Sequence, residues 1–192
     1  MSTRLLVTGS GGFVGGHVRA AVALGLFGDA ELLAWPAGAD LRDAAAVAEA
    51  LADARPTAVL HLAAQSFVPR AFEDPAETFA INVQGTVHLL DALRRRGFKG
   101  RFLYASSGDV YGLVPEAELP VRPTRVPEPR NPYAASKVAA EQACLAFHRA
   151  EGFDAVIARP FNHVGPGQDA RFVLPALARQ VVDIAAGRQA PI

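Results

Sequence analysis

Thr8-Gly9-Ser10-Gly11-Gly12-Phe13-Val14-Gly15 follows a short apolar run, Leu5 to Thr8, and opens onto Phe13 to Leu24, where apolar residues recur at helical spacing. Glycines at 9, 12 and 15 between a strand and a helix serve a physical purpose. The first permits a tight turn, the second lets a pyrophosphate approach the backbone, and the third lets the helix pack close to the sheet. The free N–H groups and positive dipole end of the helix favour the anion. This stretch therefore predicts a dinucleotide site built from Gly9, Gly12 and Gly15, with Phe13 and Val14 starting the helix beside them.

Outward from the turn, the same alternation continues. Apolar β-type runs at Leu32 to Trp35, Ala58 to Leu62, Phe102 to Ser106 and Ala155 to Ala158 are separated by helical patterns. Those patterns occupy Ala44 to Ala52, Pro75 to Arg96, Pro132 to Glu151 and Phe172 to Ala186. Such alternation predicts an α/β fold, a Rossmann-type doubly wound parallel sheet covered by helices. Runs as continuously apolar as Ala58-Val59-Leu60 suit strands buried on both faces. Pro75 suits the first turn of a helix and Gly97 its end. Six prolines from Pro115 to Pro132 exclude regular structure there and predict a surface loop leading into the following helix.

Composition narrows the function classes. With 192 residues, 51% of them hydrophobic, the chain can bury one sizeable core, so a single domain over 1–192 is expected. Nineteen basic residues balance nineteen acidic ones, which advertises no surface for a nucleic-acid backbone. The lone cysteine, Cys144, forms no internal disulfide, and glycines interrupt the first apolar run too early for a signal peptide or membrane span. A cytoplasmic protein with neither nucleic-acid nor membrane partner is the expectation.

Dinucleotide folds usually carry an acidic residue about 20 positions after the glycines, gripping the adenine ribose. Here the second run ends in Ala34-Trp35-Pro36, and Asp40-Leu41-Arg42-Asp43 lies slightly beyond. Arg42 could equally meet a 2′-phosphate, so NAD and NADP both stay open. The plainer account makes Asp40 or Asp43 a helix cap.

Tyr133-Ala134-Ala135-Ser136-Lys137 sets a phenol and an ammonium one turn apart on one helix face. Reducing a carbonyl with hydride requires a proton for the oxygen. Tyr133 can supply it if a nearby cation lowers its ordinary pKa of about 10, and Lys137 can provide that field while holding a ribose. Ser107, after the fourth run, can align the carbonyl with Tyr133. Alternatively, Tyr133 packs on a lysine stem and Ser107 serves a turn. His61 reads as a packed residue. Asn82, a poor helix former in mid-helix, reads from physics alone as a kink. Cys144 and His148 lie one turn apart, but two ligands make a weak metal site, so no metal is expected.

Together these residues resemble the extended short-chain dehydrogenase/reductase superfamily of sugar-nucleotide epimerases, dehydratases and reductases. The resemblance implies cofactor contacts at the glycine turn, at Asp40 and Leu41, and at Leu62, Ala63 and Ala64 after His61. It extends them to Asn82, Tyr133, Lys137 and Pro160, and implies that Asn82 holds a water or backbone group near Lys137. Catalysis falls to Ser107, Tyr133 and Lys137. Substrate contacts fall to Gln65, Ser107, Gly108, Asp109, Asn162, Phe172 and Val173, with Arg159-Pro160-Phe161-Asn162 meeting the sugar nucleotide.

Ser107-Gly108-Asp109-Val110-Tyr111-Gly112 and Phe161-Asn162-His163-Val164-Gly165-Pro166-Gly167-Gln168 look most like the reductases of GDP-6-deoxy-4-keto-mannose, which make GDP-rhamnose. Dehydratases place a carboxylate pair, or at least a glutamate, just after the serine or threonine, whereas Gly108 leaves only Asp109. The implied activity is NAD(P)H-dependent 4-keto reduction, with epimerase or 4,6-dehydratase as the alternatives, and a non-catalytic dinucleotide sensor or inactive fragment as the alternative of another class. Relatives dimerise through helices corresponding to those from Pro75 and Pro132, which implies a homodimer. They also continue for roughly another hundred residues in a substrate domain. By this resemblance the substrate region begins near residue 162, and 192 residues alone would bind cofactor with little or no turnover.

Overall fold

The computed structural model describes residues 2–190. Five parallel strands form one sheet: β1 (Arg4–Thr8), β2 (Glu31–Ala34), β3 (Ala58–His61), β4 (Arg101–Ala105) and β5 (Asp154–Ala158), in the order β2-β1-β3-β4-β5. Each expected apolar run is a strand, displaced toward the N-terminus by one residue at most ends. The chain leaves β1 toward β2 on one side and returns to β3 on the other. A crevice opens at such a reversal, beyond the carboxyl ends of the strands.

The helices are α1 (Phe13–Ala23), α2 (Ala44–Ala50), α3 (Val68–Glu73), α4 (Pro75–Phe79), α5 (Gly85–Arg95), α6 (Pro132–Glu151) and α7 (Val173–Ala185). Leu6, Val59, Phe102 and Tyr104 from the sheet meet Leu89, Leu90, Leu93, Ala140 and Cys144 from α5 and α6 in the core. Burying each large side chain contributes roughly 2–3 kcal/mol. Asn131 caps α6 through its side chain, Pro132 fills the first helical position, and Gly152, at φ +70°, ends the helix in a left-handed conformation.

The expectation of one unbroken helix from Pro75 to Arg96 is corrected. A π-helical turn, Ala80–Gln84, divides it into α4 and α5. One extra residue in the turn delivers the Asn82 side chain toward Gln65 and Ser136. Six-residue α3, too short for a periodic signal, has no counterpart among the expected helices. The proline-rich stretch is irregular except for one 3₁₀ turn at Glu116–Glu118.

The chain divides into two compact units, Met1–Phe161 and Asn162–Ile192. The first contains the sheet and α1 to α6. The second contains α7. No helix of the described residues is long and apolar enough to cross a membrane.

Candidate active site

The glycine turn is shaped by backbone contacts that leave no room for side chains. Gly9 takes φ +70°, and a Cβ there would lie 2.8 Å from Ala63 N, so the turn rests on the exit of β3. A Cβ on Gly15 would lie 2.3 Å from Gly9 O and 2.6 Å from Ser10 Cα. Gly15 thus nests the first turn of α1 directly onto the loop that leaves β1. A Cβ on Gly12 would meet only Gly9 O, at 3.3 Å, and one on Gly11 would meet nothing within 4 Å. The outer side of the turn is therefore open. Helix α1 starts at Gly12 without a capping side chain and without an acidic residue in its first turn. Open backbone and an uncapped positive helix end suit a pyrophosphate.

Beside the turn, a buried polar chain fixes its own proton positions. The Thr86 hydroxyl donates to Asn82 O (2.6 Å), so it accepts from His61 Nε2 (2.9 Å). Imidazole Nδ1 is then the acceptor of the Thr8 hydroxyl (2.6 Å), whose oxygen accepts Ala63 N–H (3.2 Å). Burial agrees, pushing His61 down to about 3 so that it stays neutral. His61 is a tie between β1, β3 and the start of α5.

Asn82 is 1% exposed and spends its carboxamide inside the fold. It accepts Gln65 N–H (2.8 Å) and donates to Gln65 O (3.0 Å) and Ser136 Oγ (2.9 Å). Both amide hydrogens and one lone pair of Oδ1 are thus engaged, and Asn82 holds the backbone of Gln65, as the resemblance implied for a backbone group. Gln65, expected to meet substrate, donates to Thr78 Oγ1 (3.0 Å) and accepts Phe67 N–H (2.7 Å). One end of its carboxamide thus starts α3 and the other reaches α4.

Tyr133, Lys137 and Ser107 do come together. Lys137 is 3% exposed, with Nζ donating to Ala105 O at 2.6 Å and lying 4.7 Å from the Tyr104 ring centre and 6.0 Å from that of Tyr133. Burial lowers the ammonium from 10.5 to about 8, against the opposing fields of Cys144 and Glu141. The half-buried Tyr133 phenol is held above its ordinary value by burial, partly offset by a hydrogen bond from Ser107 and reinforced by Asp109. This corrects the expectation of a phenol acidified by Lys137: the ammonium is turned to the Ala105 carbonyl, and burial raises the phenol.

Ser107 Oγ also accepts Asp109 N–H at 3.1 Å. Gly108, expected at the substrate, is buried, donates its N–H to Pro160 O (2.7 Å), and would place a Cβ 2.7 Å from the Phe161 ring. The side of Gly108 on which a Cβ would stand is occupied by that ring. Asp109 is exposed. Pro160 contributes its carbonyl to this turn.

Leu41 is buried against Gly85, and its carbonyl accepts from His88 Nδ1 at 2.9 Å. Asp40 pairs with Arg42 at 2.6 Å, while Asp43 accepts Ala45 and Ala46 N–H groups to cap α2. Leu62, Ala63 and Ala64 line the exit of β3, half-buried. Asn162, Phe172 and Val173 belong to the second unit, where Phe172 precedes and Val173 opens α7.

Glu141 and Arg159 were not legible as a pair. Glu141, wholly buried one turn beyond Lys137, accepts Ser106 Oγ (2.5 Å) and both Arg159 Nε (2.8 Å) and Nη2 (2.6 Å). Arg159, expected in the segment meeting the sugar nucleotide, instead turns inward, with its guanidinium 4.9 Å from the Tyr111 ring centre. Spacing from Lys137 was the available signal, but its distant partner carried none. Cys144 is buried in the core and His148 Nδ1 engages Phe153 O. Among the described residues no group of three or more His, Cys, Asp or Glu side chains could hold a metal.

Comparison with known proteins matches residues 5–191 to the NAD dependent epimerase/dehydratase family. The chain is 50% identical over 190 residues to GDP-6-deoxy-D-mannose reductase of Pseudomonas aeruginosa, covering 99% of this chain and 62% of that protein. Among solved structures, RMD from Pseudomonas aeruginosa complexed with NADPH superimposes with a TM-score of 0.93 at 50% identity, over 98% of this chain and 64% of the other. The UDP-glucose 4-epimerase of Thermus thermophilus in complex with NAD gives 0.83 at 35% identity, over 96% and 63%. The chain thus spans 62–64% of the length of these relatives.

Proposed function

The chain belongs to the NAD dependent epimerase/dehydratase family, and from that membership we propose that it reduces the 4-keto group of a nucleotide-linked 6-deoxy sugar, converting GDP-4-keto-6-deoxy-mannose to GDP-rhamnose. The observation that carries this reading is the convergence of Tyr133, Ser107 and Lys137: Ser107 lies close enough to lower the phenol's pKa, and the Lys137 ammonium stands 6.0 Å from the Tyr133 ring centre.

The cofactor, NADP or NAD, supplies the hydride. Gly9, Gly12, Gly15, Phe13 and Val14 hold its pyrophosphate, with Leu62, Ala63 and Ala64 alongside and Asp40-Leu41 toward the adenine. Ser107 donates a hydrogen bond to the ketone oxygen and aligns it with the phenol. A phenol raised above 10 is protonated throughout the neutral range, which suits a proton donor. Lys137 steadies the phenolate as it forms. Reduction is favoured over dehydration because the position after Ser107 is a glycine packed on Phe161. The reading includes a cytoplasmic homodimer formed through α4, α5 and α6; sedimentation that finds monomer alone removes the dimer.

Incubation with the keto sugar and NADPH or NADH is expected to oxidise one cofactor per ketone. Tyr133→Phe should lower turnover by about 100-fold or more while cofactor still binds. Epimerised sugar without net cofactor oxidation would reassign the chain to the epimerases, and cofactor binding with no consumption would make it a sensor.

A further inference from the structure

Asp109 adjoins Ser107 and Gly108, and reduction leaves its carboxylate without a task. Its Oδ2 accepts a hydrogen bond from Asn131 Nδ2 at 2.7 Å, and Asn131 Oδ1 accepts Ala134 N–H at 2.7 Å. A backbone N–H can only donate and a carboxylate accepts, so both ends of the Asn131 carboxamide are fixed. On the other side, Ser107 Oγ accepts Asp109 N–H at 3.1 Å. The bonds run without a gap from Ser107 through Asp109 and Asn131 to the first turn of α6, where Tyr133 lies.

We infer that Asp109 is a positioning residue, a latch that joins the turn carrying Ser107 to the helix carrying Tyr133 through Asn131. Tyr133 sits between two side-chain ties. Asn131 holds the amide of Ala134, while Ser136 donates from Oγ to Tyr133 O at 2.6 Å and accepts from Asn82. The second tie fixes the helix against the π turn. Of these two, the first connects the head of the helix to the turn that follows Ser107, while Lys137 to Ala105 O and Glu141 to Ser106 Oγ tie later turns of α6 to the end of β4. Two hydroxyls that act on one oxygen must keep their spacing to a fraction of an ångström, and each lies on a different element. The position beside Asp109 supports this role over acid/base work, since Gly108 is packed under Phe161 and offers no second carboxylate.

The latch rests on the reading that Ser107 and Tyr133 act together, so its test has one arm that needs no turnover. Asn131→Ser keeps an oxygen suited to capping but removes the Nδ2 donor; Asp109→Ala removes the acceptor; Asp109→Asn keeps an acceptor oxygen and removes the charge. Asn131→Ser and Asp109→Ala should each speed amide exchange over the first turn of α6 about fivefold, the bond being charge-assisted but exposed. Each should lower kcat about tenfold with KM little changed. The double variant should be no worse than either single, and Asp109→Asn should recover most of what Asp109→Ala loses. Asp109→Asn as impaired as Asp109→Ala, or a double variant equal to the product of the singles, overturns the latch. A chain that reduces no keto sugar would defeat the functional reading, while the exchange rates would still decide this one.

Discussion

The glycine turn follows the carboxyl end of β1, the head of α6 is tied to the carboxyl end of β4, and the two are built by opposite means. At residues 9–15 the geometry comes from missing side chains, with carbonyls and amides standing where a Cβ would be. At residues 131–141 it comes from side chains, since Asn131, Ser136, Lys137 and Glu141 all bond to partners on other elements. A backbone cradle tolerates almost no added atom, and a side-chain lattice tolerates almost no missing one. Four substitutions sharpen this contrast.

Glu141→Ala should have the largest effect, because it strands a guanidinium whose two bonds to that carboxylate, at 2.8 and 2.6 Å, are lost together. A loss of about 3–5 kcal/mol in denaturant unfolding is expected, as for removing one partner of a buried ion pair. Gly15→Ala comes next. A methyl group 2.3 Å from Gly9 O must push the turn off α1, at a cost of about 3 kcal/mol, and cofactor affinity should fall with it.

Lys137→Met should move stability the other way. Burial lowers the folded-state pKa of Lys137 from 10.5 to about 8, so between those values the unfolded chain holds a proton that the folded chain has released. Stability therefore rises as pH climbs from about 8 to 10.5, and the penalty acts in full below about 8. Removing the ammonium should gain on the order of 3 kcal/mol at pH 7, shrinking toward zero by pH 10.5, with turnover abolished. A gain that does not change with pH would refute the desolvation account. Gly12→Ala should have the smallest effect on folding, under about 1 kcal/mol, because its conformation (φ −80°, ψ 178°) accepts an L-residue. It should still weaken NADPH binding, separating cradle from scaffold in a fluorescence titration.

The contrast also explains what could be read before the fold was seen. The glycine turn was legible because the contacts of Gly12 and Gly15 lie within a few positions; the approach of Gly9 to Ala63 at the exit of β3 was not. The Tyr133-Lys137 pair was legible because a helix places i and i+4 on one face. The phenol's direction of shift was not, because it depends on desolvation and on where the ammonium turns. Asn82 and Gln65 show the same limit. Asn82 signalled only a poor helix former in mid-helix and Gln65 was pointed to by resemblance alone; the π turn revealed that they satisfy each other.

By itself, the order of residues determined the alternation of strands and helices, the turn at 9–15 and the phenol–ammonium pair, since all three depend on periodicity and near neighbours. Tertiary structure alone decided that Glu141 meets Arg159, that Asp109 meets Asn131 and that Gly108 lies under Phe161. Those partners stand 18, 22 and 53 positions apart in the chain. At such separations side chains meet only after the strands have set their register, and the charge, burial and hydrogen bonding of the site are fixed at that point.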